Sequence, residues 1–263
     1  MVVPAVPAAT LVLARVVPDD GGGAFEVYLV RRHGRSGFMA GAHVFPGGRV
    51  EHDDAAFDVD AIAVAAIRET FEETGVLLAR PESGLPLSTR SPLDAVAARA
   101  AGGEPFGHAL RAVGLLPDVE ALVPLGWWIT PEVEPRRFDT RFFFAVVPSL
   151  QRQDAGVDGR EVTEGAWFTP RAALSAYDAG TVVLAPPTLV ILEELSRHAS
   201  VDDVRGARWP MQAVRPIAAE EDGRLVLALP GDPRHEVELP LWPARTRVVV
   251  DDQGRFRSAF VRR

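Results

Sequence analysis

The stretch Arg68-Glu69-Thr70-Phe71-Glu72-Glu73-Thr74-Gly75-Val76 limits what this chain can fold into more than any other. Wound as a helix at about 100° per residue, it gathers Glu69, Glu72 and Glu73 on one arc and turns Val64, Ile67 and Phe71 to the other. Such a helix has one face to bury and one acidic face to leave open. Carboxylates at i, i+3 and i+4 repel each other, each pair costing on the order of a few tenths of a kcal/mol on an open helix. A stripe of three therefore calls for a cation. Carboxylate oxygens are hard ligands, which selects Mg²⁺ or Mn²⁺. The helix is expected over 61–74, with Asp58 or Asp60 as its N-cap and Gly75 at C′. Upstream, Phe45-Pro46-Gly47-Gly48 provides a tight turn that permits close backbone approach.

Composition narrows the chemistry by exclusion. With 263 residues the chain is long enough for one enlarged domain or a domain with an appendage. A net charge of −8 argues against nucleic-acid binding driven by phosphate neutralisation, so a polyanionic substrate must be met by local arginines or a metal. The absence of cysteine removes disulfides, thiolate catalysis and Cys-ligated zinc. All 28 basic residues are arginine, which also removes Schiff-base chemistry and a P-loop lysine. No H-E-x-x-H or G-x-S-x-G motif is present. No apolar run reaches the roughly 18 residues a membrane helix needs, and Met1–Leu13 lacks the basic start of a secretory signal. A cytoplasmic location without membrane association is expected.

Along the chain, 10–17 and 25–32 read as a hairpin around Asp19-Asp20-Gly21-Gly22-Gly23, and 76–78 as a return to strand. Residues 80–117 read as helical, with Ser91-Pro92-Leu93-Asp94 opening a helix. Residues 121–130 and 138–147 read as central strands, and alternation allows only one of Trp127 and Trp128 to face a cleft, a core position being favoured for either. Residues 151–160 read as a polar loop. A helix is expected over 188–198 and strands over 214–218, 224–228, 236–241, 247–250 and 255–261, with Gly231-Asp232 a hairpin turn.

The Gly-Gly turn followed by R-E-x-x-E-E-x-G-V resembles the signature of the Nudix hydrolases, enzymes that cleave a diphosphate linked to a nucleoside. Most of the chain is further similar to the branch represented by the mammalian peroxisomal coenzyme A diphosphatases of the Nudix motif 19 type. The shared pieces are Gly37-Phe38-Met39, Gly41-Ala42-His43-Val44-Phe45, Ala66 through Leu78, Arg136-Arg137-Phe138-Asp139-Thr140, Phe142-Phe143 and Pro186-Pro187, in the same order. The ending Phe260-Val261-Arg262-Arg263 is not the peroxisomal tripeptide. The resemblance implies an α+β Nudix fold, a mixed β-sheet between helices in an α/β/α sandwich. The domain would occupy 1–185 with a helical insertion near 81–118, followed over 186–263 by a helix and a small β-rich appendage.

The resemblance also implies a site. Metal would be held by Glu69, Glu72, Glu73, the Gly47 carbonyl and a further glutamate, Glu161, with Glu164 as its substitute. Glu72, Arg68 and Glu161 would be the catalytic set, Arg68 orienting a glutamate through a bidentate pair. Arg31, Arg35, Arg136 and Arg137 would bind substrate phosphates. The signature places a glutamate six residues after the second glycine and eight before the arginine, but here Asp54 meets the first spacing and Asp60 the second. Six extra residues separate turn from helix, leaving Glu51, Asp54 and Asp60 as candidates for that carboxylate. The implied activity is Mg²⁺- or Mn²⁺-dependent hydrolysis of coenzyme A or acyl-CoA to 3′,5′-ADP and 4′-phosphopantetheine or its acyl form. ADP-ribose, NADH or another nucleoside diphosphate derivative is the alternative substrate, and a non-catalytic nucleotide sensor the alternative class. The resemblance admits a homodimer.

Overall fold

A computed structural model describes residues 2–17, 23–33, 41–151, 155–156, 162–242 and 245–261. The two strands β1 (Val6–Val16) and β2 (Phe25–Arg32) form the expected antiparallel hairpin, with Ala14 opposite Val27. Short strands β3 (His43–Val44) and β4 (Gly47–Arg49) lie on either side of Phe45, β3 pairing with β2 and β4 with the first half of β1. A 3₁₀ turn, His52–Ala56, then leads to α1 (Ala61–Thr74). Asp60 caps α1, its Oδ1 accepting from the Ile62 N–H at 3.0 Å, and Gly75 closes it in the left-handed region at φ 76°.

Residues 80–117 are helical in the middle but not at their ends. The segment is tied off by a two-stranded ladder of β5 (Ala79–Pro81) and β6 (Leu115–Pro117), between which lie α2 (Ser91–Ala101) and α3 (Phe106–Arg111). Val76–Leu78, expected as strand, is buried coil. Its backbone finds a side-chain partner instead: Gln151 accepts from the Leu77 N–H at 2.9 Å and donates to the Leu77 carbonyl at 2.8 Å. Gln151 is thus buried where its polarity suggested an open loop.

Strands β7 (Val123–Ile129) and β8 (Phe138–Val146) pair antiparallel, and β8 runs parallel to β1 from Val6–Phe138 to Ala14–Val146. With β9 (Val162–Phe168) on β2, these strands complete a sheet whose path is β3-β2-β1-β8-β7 and then β10 (Ala213–Val214), parallel to β7. The chain reaches β10 through α4 (Pro170–Asp178), α5 (Pro186–Leu195) and α6 (Val201–Gly206). An antiparallel sheet follows, of β11 (Ile217–Glu221), β12 (Arg224–Ala228), β13 (Arg247–Val250) and β14 (Phe256–Ala259). Residues 236–241 are not a strand there. Gly231 and Asp232 begin a turn-rich segment, closed by a Gly231 N–H bond to the Val237 carbonyl, that carries Asp232 into the interior.

Alternation along the central strands sorts the core into two layers. On one face Val12, Ala14, Phe142, Phe144 and Trp128 pack with α4, α5, α6 and appendage residues Leu227, Leu229, Trp242 and Val248. On the other, Ala9, Leu11, Phe143 and Ala145 pack with Val64, Ile67 and Phe71 of α1 and with the insertion. The sheet lies between helices, an α+β Nudix fold with extra C-terminal strands. Burying a side chain such as Leu11 or Ile67, both fully enclosed, is worth about 1.5–3 kcal/mol. The apolar stripe of α1 therefore fixes the acidic stripe in space.

Candidate active site

Because β4 is hydrogen-bonded to β1, the glycine turn lies against the acidic side of α1. A Cβ on Gly47 would collide with the Ala9 carbonyl, and one on Gly48 would stand 2.5 Å from the Glu69 carboxylate. Gly47 has no room for a side chain, and at Gly48 one would displace the Glu69 carboxylate. The Gly47 N–H donates to Glu73 Oε2 at 3.1 Å. Turn and helix together form one wall of a cavity of about 1800 Å³, lined by Gly47, Gly48, Glu51, Arg68, Glu69, Glu72 and Glu73.

Arg68 holds this wall together. Its Nε and Nη2 donate to Asp54 Oδ1 and Oδ2 at 2.8 and 3.0 Å, Nη2 also reaches the Arg49 carbonyl at 2.9 Å, and Nη1 reaches Glu69 at 3.0 Å and Glu72 at 2.9 Å. The bidentate partner is therefore Asp54, and the glutamates each receive a single bond. Of the three upstream carboxylates, Asp54 is buried on Arg68, Asp60 caps α1 and Glu51 lies on the cavity wall. Burial opposes the Arg68 charge, but the bond to Asp54 and the fields of Glu69, Asp54 and Glu72 outweigh it and hold the guanidinium above its ordinary pKa. Glu72 is also shifted up, which for an acid disfavours the charge: burial raises its pKa against the pull of Arg68, even though 49% of its side chain is open to solvent.

Arg68 thus binds Asp54, Glu69 and Glu72 at once, and Glu73 accepts the Gly47 N–H on the same wall. Among the described residues no three acidic or histidine side chains form a ready-made cage. Mg²⁺ keeps several waters and is held by one or two carboxylates together with substrate phosphates. The donors present, Glu69, Glu72 and Glu73 with the Gly47 backbone, fit such an ion.

The remaining expected residues divide. Arg136 and Arg137 line the same cavity, Arg136 exposed and Arg137 committed to the Thr130 carbonyl at 3.0 Å and the Val3 carbonyl at 2.7 Å. Arg31 is not among the lining residues; it pairs at 3.3 Å with Glu164 on β9, which does not line the cavity as a substitute ligand would need to. Arg32 lines the cavity instead, with its Nε buried and without a partner. Strand alternation separates the two neighbours. Arg35 and Glu161 lie outside the described residues. Trp128 is the core tryptophan, stacked on Trp242 at 5.3 Å, and it also forms part of the cavity wall; Trp127 lies under Arg141, whose guanidinium carbon is 3.6 Å from the ring centre.

A mixed sheet between helices, with a glycine turn docked on a carboxylate-bearing helix, defines a Nudix hydrolase. A NUDIX domain model matches residues 10–99, and a NUDT19 Nudix domain model matches residues 57–197, more than half of the chain. The chain belongs to that NUDT19 Nudix domain family and is a Nudix diphosphatase. It is 25% identical over 299 aligned residues to the acyl-coenzyme A diphosphatase NUDT19 of Xenopus laevis, covering 87% of this chain and 76% of that one. To the human acyl-coenzyme A diphosphatase NUDT19 it is 28% identical, covering 83% and 74%. Among solved structures, a NUDIX hydrolase from Alicyclobacillus acidocaldarius matches with a TM-score of 0.63 and 28% identity, covering 78% of this chain and 97% of that one. Among the described residues no helix is long and apolar enough to cross a membrane.

Proposed function

We propose that the chain hydrolyses the diphosphate of coenzyme A or an acyl-CoA, giving 3′,5′-ADP and 4′-phosphopantetheine or its acyl derivative. The observation that carries the diphosphatase reading is the gathering of Glu69, Glu72 and Glu73 beside Gly47 and Gly48 on one wall of a large cavity. The coenzyme A assignment is supported by the frog and human relatives, both named acyl-coenzyme A diphosphatases. In this reading residues 1–185 form the hydrolase domain and 186–263 its C-terminal extension.

Glu69 and Glu73 would hold Mg²⁺ or Mn²⁺ most directly, with Glu72, the Gly47 carbonyl and Glu161 as further donors. When bound, the cation supplies Lewis-acid polarisation of the phosphorus and neutralises charge on the leaving phosphate. Arg68, clamped by Asp54, holds Glu69 and Glu72 in register. Glu72 serves as ligand or as the base that takes a proton from the attacking water. The water oxygen bonds to phosphorus, the phosphoanhydride P–O bond breaks, and the leaving phosphate keeps the bridging oxygen. Coenzyme A carries a 3′-phosphate, and exposed Arg136 at the cavity is our first choice to bind it. Arg137, Arg31 and Arg35 are assigned supporting roles in the field that attracts the substrate.

The test is turnover across CoA, ADP-ribose, NADH and diadenosine polyphosphates with and without Mg²⁺. CoA should rank first, and activity should vanish with a chelator and return with the ion. A clear preference for ADP-ribose overturns the substrate assignment, and absence of any metal-dependent turnover overturns the enzymatic one.

A further inference from the structure

The two long segments that flank α1 meet each other. Residues 50–60 connect β4 to α1, and residues 82–114 carry α2 and α3 between β5 and β6. A connection as long as 50–60 has conformational freedom to lose on folding. α3 is what lies on its middle.

Three contacts join them. The Arg111 guanidinium donates through Nη2 to the Ala56 carbonyl, and its central carbon stands 4.4 Å from the centre of the Phe57 ring. Gly107 faces the same ring so closely that a Cβ there would come to 3.3 Å from Phe57 Cε2. Arg111 is exposed, yet among the described residues it has no carboxylate partner, so its charge and its donor are given to this turn. α3 also reaches α1 itself, the Phe106 ring centre standing 5.9 Å from that of Phe71.

Two residues before Ala56 comes Asp54, 1% exposed. Its Oδ2 accepts from the Glu51 N–H at 2.7 Å, and its two oxygens take Nε and Nη2 of Arg68. An aspartate has one carbon between backbone and carboxylate, so a shift of the turn His52–Ala56 passes almost undamped to those bonds. Arg68 then divides Nη1 between Glu69 and Glu72. Direct contacts thus run from Arg111 through the turn, Asp54 and Arg68 to two carboxylates of the cavity wall, while Arg111 does not line the cavity.

Resting on the diphosphatase reading of that wall, and not on coenzyme A as the substrate, we infer that the insertion buttresses the acidic wall and that Arg111 is a positioning residue for the hydrolysis. By holding the turn it holds Asp54, and through Asp54 and Arg68 it keeps Glu69 and Glu72 in the geometry that a divalent ion and the attacking water require.

The experiment compares Arg111→Ala with Arg99→Ala, which removes an exposed arginine whose partner, Glu104, belongs to the insertion itself. The readouts are kcat and KM on whichever of CoA and ADP-ribose the wild type cleaves faster, Mn²⁺ affinity of the substrate-free protein by electron paramagnetic resonance, and the thermal midpoint. Losing a group that supports a metal-holding side chain costs about 10–100-fold in affinity or rate, and Arg111, further out, should fall at the low end of that range. Arg111→Ala should therefore lower kcat about tenfold at unchanged KM and weaken Mn²⁺ binding, while Arg99→Ala changes neither. Combined with Asp54→Asn, the Arg111→Ala loss should largely disappear, because the link it works through is already cut. Full additivity, an equal loss in Arg99→Ala, or a lower thermal midpoint with kcat per folded molecule and Mn²⁺ affinity both unchanged overturns the inference. If Asp54→Asn does not fold, kcat and Mn²⁺ affinity of Arg111→Ala decide. A wild type that cleaves ADP-ribose but not CoA loses only the substrate assignment, and one without metal-dependent turnover loses the diphosphatase reading first.

Discussion

Two regions of this molecule are built from the same parts, arginine and carboxylate, to opposite ends. Around α1, Arg68 meets Asp54, Glu69 and Glu72 beside Glu73, and the group faces a cavity. In the C-terminal part Glu193, Glu194, Glu221 and Asp232 are each met by at least one arginine of the chain. Arg247 joins Asp232 at 2.6 Å and Glu221 at 2.5 Å, Glu221 also takes Arg234 at 2.6 Å, and Arg245 joins Glu193 at 3.1 Å and Glu194 at 2.8 Å. None of these lines the cavity. Hydrogen bonds from Arg234 and Arg247 hold Glu221 below the usual carboxylate range, whereas burial holds Glu72 above it. A carboxylate whose cation is supplied by the chain is a fastener. One set on the wall of a large cavity is placed to meet something that arrives.

The contrast is most open to attack at Glu72. Glu72→Gln should lower Mg²⁺-supported turnover by about 10²–10⁴-fold and leave the thermal midpoint near that of the wild type; retained turnover would break the distinction. Arg245→Ala should do the reverse. It takes from Glu193 and from buried Glu194 their nearest guanidinium, leaving Glu194 only the half-exposed Arg197 at 3.8 Å, for a loss of up to about 3–5 kcal/mol in urea unfolding, with kcat per folded molecule unchanged.

Gly48→Ala sharpens the comparison with a smaller effect. Its Cβ falls 2.5 Å from the Glu69 carboxylate, so that group must shift. A displacement near 1 Å costs up to about 10²-fold in rate, while secondary structure by circular dichroism stays the same. The smallest effect is on acid stability. A backbone bond from Arg255, aided by Arg257, lowers Asp251 to about 2. Its unfolded value is about 3.9, so its stabilisation is complete above that and fades as pH falls toward 2. Wild type should therefore lose more stability than Asp251→Asn between about pH 4 and pH 2, measured by chemical unfolding at each pH.

The acidic helix was legible because its information is local. Apolar and acidic positions repeat at the helical period from Ala61 to Thr74, Asp60 and Gly75 mark the ends, and each follows from residues at most four apart. The same held for β1, β2, β7 and β8, whose runs of β-formers are long. Val76–Leu78 and 236–241 misled for a shared reason. Both are apolar enough for a strand, but the backbone partners are settled elsewhere, by the Gln151 amide in one case and by the turns after Gly231 in the other.

The site followed the same division. Clustered Glu69, Glu72 and Glu73 and the glycine turn could be found by spacing alone. Asp54 could be narrowed to three carboxylates and no further, because the six extra residues before α1 conceal which one folds back onto Arg68. Arg32 was passed over for Arg31, since one residue of strand phase decides which faces the cavity.

What the residues determined by themselves is the chemistry on offer: a helix with a charge surplus, a turn of two glycines, and no thiol or lysine to do other work. What only the tertiary structure decided is where that surplus is exposed and what stands opposite it. Helical phase is written within four residues, but Asp54 on Arg68, and Leu227 and Trp242 around Trp128, are meetings across 14 to more than 100 positions of chain. Such meetings are set by how two apolar layers close on one sheet, and no local spacing encodes them.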